Sequence, residues 1–109
     1  MAFADNPRVT AIEASRDRGF DYLDIYTSDN VQAKGLLLED QLIIDLPGAE
    51  AARDLSLPKI NSKRIKALSL KQVNGTLRLV LELKKDIDYE IVNVFGRNKS
   101  VIEICDRLD

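Results

Sequence analysis

Apolar and polar residues alternate strictly along much of this chain. The leucines at 77, 79, 81 and 83 alternate with Arg78, Val80 and Glu82, and Leu23 and Ile25 alternate with tyrosine and aspartate within Phe20–Thr27. A period of two predicts a β-strand with one buried face. Together with β-branched residues and turn signals, this pattern predicts eight short strands, over residues 9–15, 20–27, 31–38, 42–46, 65–72, 77–83, 87–95 and 100–105.

Turn chemistry supports these strand boundaries. Asn74-Gly75 favours a type I′ hairpin, because both central residues of that turn need a positive φ. Asp17-Arg18-Gly19 predicts a second turn, and Gly35 indicates a bulge or a close approach within its strand. Eight short strands at this spacing are typical of two packed sheets or a flattened barrel.

The strand pattern occurs twice. At an offset of 56 residues Val9 aligns with Ile65, Gly19 with Gly75 and Leu23 with Leu79. An insertion of two residues near 96–98 raises the offset to 58, which aligns residues 43–46 with 101–104. The repeat predicts an internal duplication with halves 9–49 and 62–106 inside one domain, 9–109.

The segments outside the repeat carry weaker signals. Residues 1–8 read as a leader with little structure of their own. Between the halves, Ala49–Asp54 could form a helical turn or two, and Leu55–Ser62 predicts an extended linker because of Pro58.

Composition restricts the function more than it defines it. The 109 residues carry 16 basic and 18 acidic side chains, a net charge of −2, which argues against a nucleic-acid partner. Apolar runs are too short for membrane insertion, and Met1–Pro7 lacks the pattern of a signal peptide. The chain has no histidine, and its one cysteine, Cys105, reads as a small, partly buried residue. We therefore expect a protein that is not an enzyme and that has no cofactor and no metal site.

Four motifs resemble the AMIN domain. They lie at 41–49 (QLIIDLPGA), 62–68 (SKRIKAL), 74–83 (NGTLRLVLEL) and 88–91 (DYEI), and the resemblance extends over about residues 9–106. It implies a β-sandwich of two similar four-stranded sheets. It also implies a periplasmic peptidoglycan-binding module that localises a parent protein, either an N-acetylmuramoyl-L-alanine amidase or a type IV pilus secretin.

The candidate ligand-binding residues lie on polar strand faces. Tyr22, Asp24 and Tyr26 share the side of their strand opposite Leu23 and Ile25, and the ring of Phe20 precedes them on that side. Aromatic rings offer an apolar platform to sugars, and the polar groups can hydrogen-bond. The alternative is that both tyrosines only flank the core.

In the second half, Arg78 and Glu82 also point away from the leucine face. Arg78 could pair with a carboxylate of the peptidoglycan stem peptide. Asp24 and Glu82 could instead form a glycosidase acid–base pair, although strand faces commonly carry such charges. The basic cluster Lys59, Lys63, Arg64 and Lys66 could contact anionic wall polymers, but a solvated edge is the simpler interpretation.

The sequence thus predicts a noncatalytic peptidoglycan-binding module of the periplasm or cell envelope. The alternative is a docking module that pairs an exposed edge strand with another envelope protein of the same assembly.

Overall fold

A computed structural model describes residues 6–108, which form strands and one short 3₁₀ turn, Phe95–Arg97. The all-β prediction is confirmed. The strands, in chain order, are β1 (Arg8–Asp17), β2 (Phe20–Thr27), β3 (Lys34–Leu37), β4 (Gln41–Pro47), β5 (Glu50–Ala51), β6 (Ile65–Val73), β7 (Thr76–Leu83), β8 (Ile87–Val94) and β9 (Lys99–Asp106).

The strands form two sheets. Sheet A has the order β5-β1-β2-β9-β8, and sheet B has the order β3-β4-β7-β6. Each half of the repeat contributes one hairpin to each sheet, so β2 pairs with β9 and β4 pairs with β7 across the halves. The two-sheet sandwich is confirmed, and sheet A gains a fifth strand from the short β5.

The two predicted halves share backbone features. A register shift between Val9 and Ala11 on β1 recurs between Ile65 and Ala67 on β6, at the same offset of 56 residues. The β1–β2 turn has φ of 49° at Arg18 and 85° at Gly19, and the β6–β7 turn has 47° at Asn74 and 76° at Gly75. Positive φ at both central residues is the type I′ geometry expected for the second hairpin.

The core lies between the sheets and is built from the inner faces of both halves. Repeat-equivalent residues are buried together: Leu23 with Leu79, and Ile44 with Ile102. Because side chains alternate across a strand, burying these residues turns their neighbours outward. The fully buried side chains include Val9, Leu23, Ile25, Leu42, Ile44, Leu46, Leu79, Leu81, Ile87, Ile102 and Ile104.

The segment between the halves is extended, so the helical turn considered for Ala49–Asp54 is wrong. Glu50 donates its N–H to the carbonyl of Pro7, and Ala52 donates to Val9, which places β5 parallel to β1. A helix of this length has too few internal hydrogen bonds to form without packing support. The pairing also brings residues 7 and 8, which were expected in the leader, into the fold. Residues 1–5 lie outside the described part of the chain.

The two sheets approach each other closely at Gly35, which is one of the two interpretations that the sequence suggested. A Cβ atom there would lie 2.5 Å from Cε2 of Tyr89, whose ring covers the glycine from the facing sheet. Only glycine leaves room for that ring, which explains a residue that is otherwise unfavourable in a strand.

Candidate functional site

Four residues of β2 form an outward-facing row on sheet A. Phe20, Tyr22, Asp24 and Tyr26, named here the aromatic strip, alternate with inner-face residues that are buried. Phe20 is exposed, and the other three are half-buried. The structure therefore brings these four predicted site residues together on one surface, in the order that the period of two predicted.

Contacts within the strip hold its side chains in defined positions. The rings of Phe20 and Tyr22 stack with centroids 5.9 Å apart and an angle of 25° between planes. The Lys99 ammonium lies 5.3 Å from the Tyr26 ring centroid and 3.1 Å from an Asp24 carboxylate oxygen. The hydrogen bond to Asp24 raises the pKa of Lys99. Rings that are already positioned lose little entropy when a flat ligand binds.

The surroundings of the strip are acidic, which sequence reasoning missed. Glu103 lies beside Tyr22, and Glu13 lies beside Asp24. The strip lies in register with residues of β1 and β9, and through β9 with residues of β8. Together with Asp24, these residues supply six carboxylates and one ammonium group, that of Lys99. These acidic residues are Glu13, Asp17, Asp24, Asp88, Glu90 and Glu103. The strip suits a neutral or cationic ligand better than an anionic one.

Arg78 and Glu82 lie on the other side of the sandwich. Both are on β7, on the outer face of sheet B, so the six predicted site residues do not form one surface. Arg78 is already paired with Asp45 on β4: its Nε and Nη2 donate to the two carboxylate oxygens at 2.8 and 3.1 Å. This hydrogen bond lowers the pKa of Asp45 and raises that of Arg78. The Arg78 guanidinium, which was expected to hold a stem-peptide carboxylate, is therefore already bound to Asp45.

Asp24 and Glu82 are likewise separated, one on each outer face. A glycosidase needs its two carboxyl groups on either side of one bond, about 5–10 Å apart. Placement on opposite faces of a sandwich removes the acid–base pair considered from the sequence. Among residues 6–108 no group of three or more cysteine, aspartate and glutamate side chains could hold a metal ion.

Arg64 does not belong with the exposed lysines of its predicted cluster. Its Nη1 donates to Asp21 at 2.9 Å and its Nε to Asp106 at 2.8 Å, and these hydrogen bonds raise its pKa. The Ser62 hydroxyl donates to the same Asp21 oxygen and accepts the N–H groups of Arg64 and Ile65. This network binds the end of the linker to sheet A. The sequence did not predict it, because the two aspartates lie 41 to 43 residues away from their partners along the chain.

The AMIN domain family model matches residues 11–104, nearly the whole chain. The chain therefore belongs to the AMIN domain family. No curated protein matches it.

AMIN domains in general are noncatalytic modules that bind peptidoglycan and localise envelope or periplasmic proteins. In the part of the chain that the structure describes, no helix is long and apolar enough to cross a membrane.

Proposed function

We propose that this chain is a noncatalytic module that binds peptidoglycan in the periplasm and thereby localises a parent envelope protein, an amidase or a pilus secretin. The family membership over residues 11–104 carries the proposal. The aromatic strip supports it, because stacked and half-buried rings present an apolar surface to sugar C–H groups.

The mechanism is weak adhesion repeated over a polymer. The strip is a sheet face and not a deep pocket, so each contact with the glycan buries a small area and has modest affinity. The cell wall offers many identical sites close together. Rebinding at a high effective concentration then prolongs the residence of the parent protein.

Cosedimentation with protein-free sacculi tests the proposal. We expect the native protein to pellet with sacculi and the double variant Tyr22→Ala/Tyr26→Ala to remain largely in the supernatant. A matched control is Ile43→Ala/Val80→Ala, which removes outward-facing apolar groups from sheet B. If the tyrosine variant pelleted with sacculi as fully as the native protein, the strip would be excluded as the binding surface. If the native protein did not pellet with sacculi, the proposed function would be excluded.

Open sheet edges support the alternative, a docking module that pairs with a strand of another envelope protein. β6 is an edge of sheet B along nine residues, and β8 is an edge of sheet A. Lys66 and Lys71 lie on β6, however, and edge lysines oppose strand addition. A docking module would comigrate with its partner on size exclusion and would not pellet with sacculi.

A further inference from the structure

The linker and the β1–β2 hairpin enclose a cleft at one end of sheet A. The cleft has a volume of about 140 Å³ and is lined by linker residues 59–62 and by β1 and β2 residues that include Arg16 and Tyr22. Arg16 also lines a wider, shallower groove around the hairpin turn, together with Asp17, Arg18, Phe20 and Lys63. The two depressions adjoin at Arg16 and are named here the basic groove.

The basic groove carries cations that the fold leaves unpaired. Arg16, Arg18, Lys59 and Lys63 line it and are exposed, and within residues 6–108 none of them makes an ion pair. Arg64, which also lines it, is neutralised by its two aspartates. Because a concave surface focuses the field of its charges, the groove attracts anions.

The basic groove is continuous with the aromatic strip but opposite to it in charge. Phe20 lines the groove, Tyr22 lines the cleft, and their rings stack on each other. The strip is surrounded by carboxylates, whereas the groove presents these four cations and one exposed carboxylate, Asp17, which lies at the boundary and belongs to both surroundings. Because the two regions meet at the rings of Phe20 and Tyr22, one extended ligand can contact both of them.

We propose that the basic groove binds the carboxylate groups of the peptidoglycan stem peptide, while the aromatic strip contacts the glycan. This inference rests on the proposed function. Two arginines offer the planar, two-pronged donor geometry that fits a carboxylate. The amide of Asn61, which lines the cleft, can hydrogen-bond a peptide group. The groove thereby takes the role that the sequence suggested for Arg78, whose donors are engaged by Asp45.

Charge reversal in the groove tests the proposal. The variants are Arg16→Glu and Lys63→Glu, and the control is Lys71→Glu, an equal charge change at an exposed residue of sheet B. The probe is a soluble disaccharide–peptide fragment of peptidoglycan, with the stem carboxyl groups free or converted to carboxamides, titrated by calorimetry. We expect each groove variant to bind the free-acid fragment about tenfold more weakly, the loss typical of one charged hydrogen bond. The control variant should bind the free-acid fragment with the affinity of the native protein.

The carboxamide fragment gives the second measurement. It should bind the native protein more weakly than the free acid does, and each groove variant should discriminate less between the two fragments than the native protein. Thermal unfolding of each variant checks that the exposed substitutions leave the fold intact.

The outcomes separate the two proposals. Unchanged affinity of both groove variants, with native protein that still pellets with sacculi, would refute the groove and leave the proposed function standing. Native protein that binds neither sacculi nor fragment would refute both. Tighter binding to phosphatidylglycerol vesicles or inorganic phosphate than to the free-acid fragment would overturn the stem peptide as the source of the anion.

Discussion

Burial distinguishes the two arginine–aspartate pairs, and this difference yields a sharp prediction about stability. Arg64 and Asp21 are 13% and 5% exposed, and their pair joins the linker to sheet A. Arg78 and Asp45 are 35% and 31% exposed on an open sheet face. The nearest nitrogen–oxygen distances are alike, 2.9 and 2.8 Å. The exposed pair therefore serves as a control for burial.

The substitution Arg64→Ala removes the guanidinium and leaves the Asp21 carboxylate buried with the Ser62 hydroxyl as its remaining donor. Arg64 also donates to Asp106, whose side chain is 46% exposed and keeps Lys85 as a partner when Arg64 is removed. Removing one partner of a buried pair costs about 3 kcal/mol, because the remaining charge is neither solvated nor compensated. That loss is a large part of the roughly 5–15 kcal/mol that stabilises a domain of ordinary size. With a urea m-value of about 1.5 kcal/mol/M, the midpoint should fall by ~2 M.

Urea unfolding followed by circular dichroism measures this loss against Arg78→Ala. Solvent reaches Asp45 when Arg78 is removed, so the control variant should shift the midpoint several-fold less. The double variant Arg64→Met/Asp21→Leu should recover much of the lost stability, since it buries no unpaired charge. Equal shifts for Arg64→Ala and Arg78→Ala would refute the reasoning that burial makes the difference.

Two further predictions concern the same sandwich. Arg78 lowers the pKa of Asp45 in the folded state below its ordinary value of 3.8, so this ion pair contributes stability above about pH 4 and loses it as the pH falls through the folded-state pKa. Asp45→Asn should therefore flatten the decrease in the urea midpoint between about pH 5 and pH 2; an unchanged slope would show that the pair has no such linkage. Gly35→Ala should cost about 1–3 kcal/mol, because its Cβ would overlap the Tyr89 ring, and Tyr89→Ala in the same chain should recover part of that loss; equal stability of the native protein and Gly35→Ala would contradict the close approach.

Local sequence was sufficient to predict every strand of residues 6–108 except β5, and the faces of β2 and β7. Leu23 and Ile25 lie in the core and the aromatic strip lies outside, because successive side chains of a strand point to opposite sides whatever the strand pairs with. Asn74-Gly75 predicted its turn for the same local reason. Ala49–Asp54 was misjudged as a possible helical turn because its pairing with β1 is a long-range contact that composition does not encode.

Only the tertiary structure decided which side chains lie side by side on each surface. The pairings of β2 with β9 and of β4 with β7 join strands from different halves, and they depend on the packing of the whole core. Those pairings place Glu103 beside the strip and separate Arg78 and Glu82 from it. The packing of the linker against sheet A buries Arg64 against Asp21. A strand's sequence determines which side chains face outward, because its pleat is local. It does not determine the neighbours of those side chains, because the partner strands come from elsewhere in the chain.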